Sequence, residues 1–118
     1  MITAGPTYEA IDPVRFIGNH SSGKMGYELA SACLAMGHQV CLVSGPTSLE
    51  LTHPNLQLVR VQSALEMLGA VKENWDTCDL GIFSAAVADY RPERVETQKI
   101  KKTADDHSVQ LVKNPDIL

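Results

Sequence analysis

A chain of 118 residues with 44% hydrophobic and 20% charged positions has the size and composition of one globular domain that buries a core of its own. Ten Lys and Arg against fourteen Asp and Glu leave a net charge of −4, which argues against a general binder of nucleic acid or anionic membranes. Any anionic ligand must then be met by a local cluster.

No apolar run is long enough to span a bilayer, and the opening MITAGPTYEA lacks the basic and apolar regions of a signal peptide. A cytoplasmic protein is expected. Its three cysteines, Cys33, Cys41 and Cys78, form no C-x-x-C pair, and we read them as buried free thiols in a reducing compartment.

Taken along the chain, MITA is a short apolar strand stopped by Gly5-Pro6, and residues 5–21 form a long loop punctuated by Pro and Gly. A helix is expected from Ser22 to Met36, capped by Ser22 and closed by Gly37, with Met25, Leu29, Ala32, Cys33 and Met36 on its inner face. The run from Gln39 to Gly45 reads as a buried strand, and Leu56 to Gln62 as a third strand. Ser63 and Glu66 make a capping box for a helix reaching Trp75, with Leu65, Leu68 and Val71 inward. Asp79 to Val87 has the continuous apolar character of a central strand, SVQLVK that of one more strand, and NPDIL that of a helix opening capped by Asn114.

This alternation of strands and helices predicts an α/β fold, a Rossmann-like three-layer arrangement around a mainly parallel sheet, in a single domain over residues 1–118. A helix cut off in its first turn further suggests a domain that continues beyond Leu118.

The segment GNHSSGKMG, Gly18 to Gly26, matches the phosphate-loop pattern G-x-x-x-x-G-K, yet Met25 stands where that motif needs a magnesium-binding hydroxyl. The G-x-G-x-x-G fingerprint of dinucleotide sites is absent. What remains is a Gly- and Ser-rich approach to a helix N-terminus, where backbone N–H groups attract anions; the alternative is that these glycines only turn the chain. Asn19 and His20 are turn or capping residues on spacing alone. Asp89 is either a helix cap or a strand-end acid that holds a sugar or metal. Lys99, Lys101 and Lys102 are either a solvated run or a clamp for a triphosphate.

Taken together, ITAGPT, DPVRFIGNHSSGKMG, LVSGPTSL, AAVADYRP, KIKK and LVKNPDIL resemble phosphopantothenoylcysteine synthetase, commonly the C-terminal half of a bifunctional flavoprotein of coenzyme A biosynthesis. The motifs occur in the family's order over nearly the whole chain. The resemblance implies a Rossmann-like homodimer that uses a nucleoside triphosphate and Mg2+ to activate the carboxylate of 4'-phosphopantothenate, after which the amine of cysteine displaces the nucleotide. The wording NHSSGKMG and AAVADY is similar to the bacterial branch, which implies CTP. FMN is expected only if the parent protein carries a fused decarboxylase, and neither nucleic acid nor membrane is expected as a partner.

Residue by residue, the resemblance implies that Asn19 is catalytic and contacts the activated acyl group, with Arg15 and Ala86 also meeting the substrate. It implies that Phe83, Ser84 and Ala85 meet the nucleotide, that Asp89 meets the nucleotide and its cation, and that Lys99 binds and activates the triphosphate. Pro115, Asp116, Ile117 and Leu118 match a turn that holds base and sugar. Two other classes compete with this reading: an NADP-dependent oxidoreductase of the short-chain type, and a non-catalytic dimerisation module.

Overall fold

The computed structural model describes residues 1–102 and 106–118. Four parallel strands form the central sheet: β1 (Ile2–Ala4), β4 (Val40–Ser44), β5 (Leu56–Arg60) and β6 (Ile82–Phe83), in the order β5-β4-β1-β6. Register is set by Ile2 beside Leu42 and Ile82, and by Val40 beside Leu56. Helices α1 (Lys24–Ala35) and α2 (Ala64–Trp75) cover the two faces. Three layers result.

The alternation of side chains across a strand explains the layering. Ile2, Ala4, Val40 and Leu42 pack with Tyr27, Ala30 and Leu34 of α1 in one cluster. Met1 and Val43 pack with Met67, Ala70 and Val71 of α2 in the other. β4, the sequence VCLVS, is covered on both faces, which is why it reads as a nearly continuous apolar run. Leu42 and Met67 are fully buried, and burial of each such side chain stabilises the fold by about 1.5–3 kcal/mol.

Both helices differ in detail from the expectation. α1 starts at Lys24, two residues late, and its N-cap is Gly23 in the left-handed region at φ 80°, without a side-chain cap. Ser22 Oγ instead accepts from Lys24 N–H at 3.4 Å. The buried face of α1 is Gly26, Tyr27, Ala30 and Leu34, whereas Met25 and Met36 are 69% and 75% exposed. Gly26 and Ala30 hold the part of the inner face where α1 lies close on β1: a Cβ at Gly26 would overlap the Ala4 side chain and stand 2.9 Å from Ser84 Oγ. Tyr27 reaches inward because its hydroxyl finds Ser44 Oγ at 3.0 Å.

α2 has the expected N-cap, Ser63 Oγ accepting from Glu66 N–H at 3.2 Å, while the Glu66 carboxylate reaches one residue further back to Gln62 N–H at 2.8 Å. Its buried face is Ala64, Met67, Ala70 and Val71; Leu65 is exposed. The run expected as a central strand supplies only Ile82–Phe83 to the sheet and lies at its edge among the described residues. NPDIL is not helical, and the last strand is β8 (Leu111–Lys113), shorter than SVQLVK.

The long loop after β1 contains a hairpin that its composition did not betray, β2 (Glu9–Ala10) against β3 (Phe16–Ile17), with Tyr8 and Phe16 stacked at 3.9 Å. Strand β7 (Tyr90–Pro92) pairs antiparallel with β8. The polar stretch from Glu96 to Asp106 lies partly outside the described residues.

Asp12 closes the hairpin. Its carboxylate accepts from Val14 N–H (2.9 Å), Arg15 N–H (2.8 Å), Ile100 N–H (3.1 Å) and the Arg15 guanidinium (2.5 Å). Its burial alone would raise the carboxyl's pKa, but the backbone N–H groups of Ile100, Val14 and Arg15, then the Arg15 charge, together hold it below the ordinary value. A depressed folded pKa means that the unfolded chain binds the proton more readily, so the stabilisation is present above the unfolded carboxyl's pKa and fades as pH falls towards the folded one.

Two outcomes follow from this architecture. Gly26→Ala gains about 1 kcal/mol of helix propensity, but the overlap with Ala4 outweighs it, for a net loss of about 1–3 kcal/mol read by urea unfolding of the protein that carries this chain. In a pH series below the ordinary carboxyl value of about 3.9, the unfolding midpoint of the unsubstituted protein falls more steeply than that of Asp12→Asn; parallel curves would remove Asp12 from the account.

Candidate nucleotide and substrate site

β1 leads through α1 to β4 on one side, and β5 leads through α2 back to β6 on the other. The chain order therefore reverses between β1 and β6, and in open α/β sheets ligands bind at the carboxyl ends of the strands at such a point. The segments leaving these two strands stay paired. Ala86 N–H donates to Gly5 O at 2.8 Å, Thr7 N–H to Ala86 O at 3.3 Å and Ala88 N–H to Thr7 Oγ1 at 2.9 Å. Below them Ser84 Oγ donates to Thr3 O at 2.7 Å and Ala85 N–H to Thr3 Oγ1 at 3.3 Å.

The loop before α1 folds over this seam. Asn19 Nδ2 donates to Ala86 O at 2.7 Å, and its Oδ1 accepts from Ser21 N–H at 2.9 Å. Both ends of the carboxamide are thereby oriented, while an amide nitrogen carries two N–H donors. One stays available at an exposed position. Asn19 and Ala86, 67 residues apart and both expected at the substrate from the family resemblance alone, are in direct contact.

The Gly- and Ser-rich loop uses much of its own polarity. Ser21 Oγ accepts from Gly23 N–H at 3.3 Å and Ser22 Oγ from Lys24 N–H. Thr47 Oγ1, from the loop after β4, donates to Ser22 O at 2.7 Å. The loop is thus organised by side chains rather than left as an open cradle of N–H groups, which is a departure from a phosphate loop of the G-x-x-x-x-G-K type.

Phe83, Ser84 and Ala85 lie at the end of β6, half-buried, with Phe83 turned to the α2 face beside Trp75 at 6.0 Å. Asp89 is exposed just beyond, its main-chain O accepting from Asn114 N–H at 2.8 Å. Pro115 to Leu118 follow directly; Leu118 N–H is held by Asp116 Oδ1 at 3.0 Å, and Ile117 packs on the α2-side core. The structure thus brings the Asp89 loop and residues 115–118 to the same end of the sheet as Asn19 and Ala86.

Arg15 and Lys99 are placed differently. The Arg15 guanidinium is committed to Asp12 and lies 3.4 Å from Ile100 O. Of its five N–H donors, those contacts use two. Lys99 is exposed, next to the Ile100 whose amide Asp12 holds, so the hairpin turn and the lysine segment are tied together.

Among the described residues no group of three or more His, Cys, Asp or Glu is placed to hold a metal ion. A lone exposed carboxylate such as Asp89 nevertheless fits Mg2+, which is commonly shared between one or two carboxylates and the phosphates of a nucleotide. The three cysteines are free and half-buried rather than fully buried. Burial first, and then the neighbouring Cys78, push the Cys41 thiol up, which makes it a poor nucleophile at neutral pH. A broad concavity of about 940 Å³ opens at the amino ends of the strands, bounded by His38, Gln39, Asn55, Thr77 and Leu80. It lies at the opposite end of the sheet from the Asn19, Ala86 and Asp89 cluster.

Sequence reasoning missed Thr3, Thr7, Glu9 and Asp12. Their partners lie up to 105 residues away, and no local spacing announces them. An acidic residue inside an otherwise apolar, Pro-punctuated loop is the one signal that Glu9 and Asp12 offered.

Comparisons with known proteins show the family and the fold. The family model for the DNA/pantothenate metabolism flavoprotein C-terminal domain matches residues 1–118. The coenzyme A biosynthesis bifunctional protein CoaBC of Vibrio vulnificus strain YJ016 is 55% identical over 120 residues, covering 100% of this chain and 30% of that protein. The crystal structure of the C-terminal domain of a CoaBC protein superposes with a TM-score of 0.83 at 46% identity, over 98% of this chain and 53% of that one. The DNA/pantothenate metabolism flavoprotein of Streptococcus pneumoniae gives 0.86 at 29% identity, over 98% of this chain and 59% of that one. The chain belongs to the family of DNA/pantothenate metabolism flavoprotein C-terminal domains.

Proposed function

We propose that this chain is the nucleotide- and substrate-binding part of a phosphopantothenate–cysteine ligase of coenzyme A biosynthesis that uses CTP. The observation that carries the reading is the 2.7 Å contact of Asn19 Nδ2 with Ala86 O at the point where the sheet order reverses. Its support from relatives is the likeness to CoaBC proteins over the whole chain.

The chemistry proceeds in two displacements. A carboxylate oxygen of 4'-phosphopantothenate attacks the α-phosphorus of CTP, forming a C–O–P linkage as pyrophosphate leaves. The amine of cysteine then attacks the acyl carbon, a C–N bond forms, CMP leaves and the ammonium proton is lost. The first displacement brings two anions together, so positive charge must be supplied locally in a chain of net charge −4. Lys99 supplies it on the side of the lysine segment, and Mg2+ bound through Asp89 would offset further phosphate charge. Arg15, held by Asp12, lends donors to the substrate at the hairpin turn.

Asn19 serves the second displacement. Its carboxamide is fixed at both ends, so the remaining N–H is preorganised towards the oxyanion that develops on the acyl carbon. Ser84 and Ala85 line the nucleotide side of the seam, and residues 115–118 hold base and sugar.

In the complete protein, multiple-turnover release of pyrophosphate requires CTP, 4'-phosphopantothenate and cysteine together; release independent of the latter two would refute the ligase reading. Asn19→Asp, which brings negative charge to the oxyanion, and Lys99→Gln each lower the ligation rate about 10²–10³-fold, the scale of a lost oxyanion donor. A dimerisation module would keep full rate in both variants, and saturable NADPH binding without CTP binding would favour an oxidoreductase.

A further inference from the structure

We propose that Asn114, seated between Glu9 and Arg91, is a positioning residue that sets the geometry of the nucleotide half of the site. The inference rests on the reading of Asp89 and residues 115–118 as nucleotide contacts, and goes beyond it to a buried network behind them.

Asn114 is 6% exposed and the oxygen and nitrogen of its side chain are both engaged. Its Nδ2 donates to Ala88 O at 2.8 Å and to Glu9 Oε1 at 3.2 Å, and its Oδ1 accepts from Arg91 NH1 at 3.0 Å. The amide orientation is therefore dictated: exchanging oxygen and nitrogen would set oxygen against two acceptors and N–H against a guanidinium. Its main-chain N–H donates to Asp89 O. One residue thus fixes the chain on both sides of Asp89 and, through its own backbone, the start of the 115–118 turn.

The network is anchored on rigid parts. Glu9, 2% exposed, also accepts from Ala64 N–H at 2.9 Å, at the N-terminus of α2, where the helix dipole favours an anion. Arg91 NH1 also donates to Lys113 O at 2.9 Å, which clamps β7 to β8 beside Asn114. A short turn such as 115–118, with three of its four residues exposed and only Ile117 half-buried, has little packing of its own to set its position. The buried amide supplies that constraint.

A positioning role differs from a purely structural one in which substrate it affects. Removing the Asn114 side chain leaves Ala88 O, Glu9 and Arg91 without this partner and loosens the Asp89 and 115–118 segments together, whereas the Asn19–Ala86 contact is made by other groups. In the complete protein, Asn114→Ala raises the KM for CTP about tenfold, in keeping with loss of a buried, partly charge-assisted hydrogen-bond network. The KM values for 4'-phosphopantothenate and cysteine stay within about twofold, the margin of an interaction that does not reach them. Arg91→Lys, whose side chain ends one bond short of the NH1 nitrogen that donates to both Lys113 O and Asn114 Oδ1, shows the same selective pattern more weakly and serves as the gentler variant if Asn114→Ala does not fold. KM values for all three substrates that rise together, or that remain unchanged in a folded variant, would overturn the proposal. An unsubstituted protein without cysteine-dependent ligation would instead overturn the ligase reading itself.

Discussion

The close approach of α1 to the end of β1 is the constraint on which the remaining geometry depends. Gly26 has no side chain because the Ala4 side chain and Ser84 Oγ occupy the space a Cβ would need. The approach lets the loop before α1 fold down on the segment after β6. Without it Asn19 would not reach Ala86 O, and the reversal point between β1 and β6 would be a bare groove. Close packing of this kind tolerates added volume poorly.

Polar order is then laid over that steric frame. The backbone hydrogen bonds of residues 5–7 with 86–88 extend strand-like pairing past the ends of β1 and β6 without a regular strand. Two buried carboxylates tie distant segments to it. Glu9 binds the start of α2 and Asn114, while Asp12 binds its own hairpin turn and the segment that carries Lys99. In each case the charge is matched by N–H donors, which is the condition for burying a carboxylate at all. A chain with an excess of acidic residues thus spends two of them on architecture, and the same ties align the residues assigned to phosphate and acyl chemistry.

The layer order, the two helices and the parallel strands were legible because they depend on local periodicity and caps. The Ser63 cap and the apolar VCLVS strand are examples. The inner face of α1 was legible only in part: Leu29 and Cys33 pack against the core as expected, but hydrophobicity favours Met25 and Met36 while the fold required Gly26 and Ala30. Distance along an axis, not apolarity, decided that face. The β2–β3 hairpin escaped notice because its strands are two residues each and its turn is held by a single side chain, Asp12. Asn114 has the sequence context of a helix cap, directly before Pro115. It is instead a buried link to Glu9 and Ala88, a role that only the tertiary structure reveals. The resemblance to phosphopantothenoylcysteine synthetase supplied the grouping of Asn19 with Ala86, and the structure places those two in contact.

The central claim is that the nucleotide and substrate meet where β1 and β6 end, not in the wider concavity at the other end of the sheet. The most direct measurement is paramagnetic broadening of backbone amide signals by Mn2+ bound with CTP in the complete protein. The account predicts that the amides of Ser84 to Asp89, of the loop from Asn19 to Met25, of Asn114 and of Asp116 to Leu118 broaden, while those of His38, Asn55, Thr77 and Leu80 remain sharp. Broadening centred on this last group, with the Ala86 and Asp89 signals untouched, would contradict it.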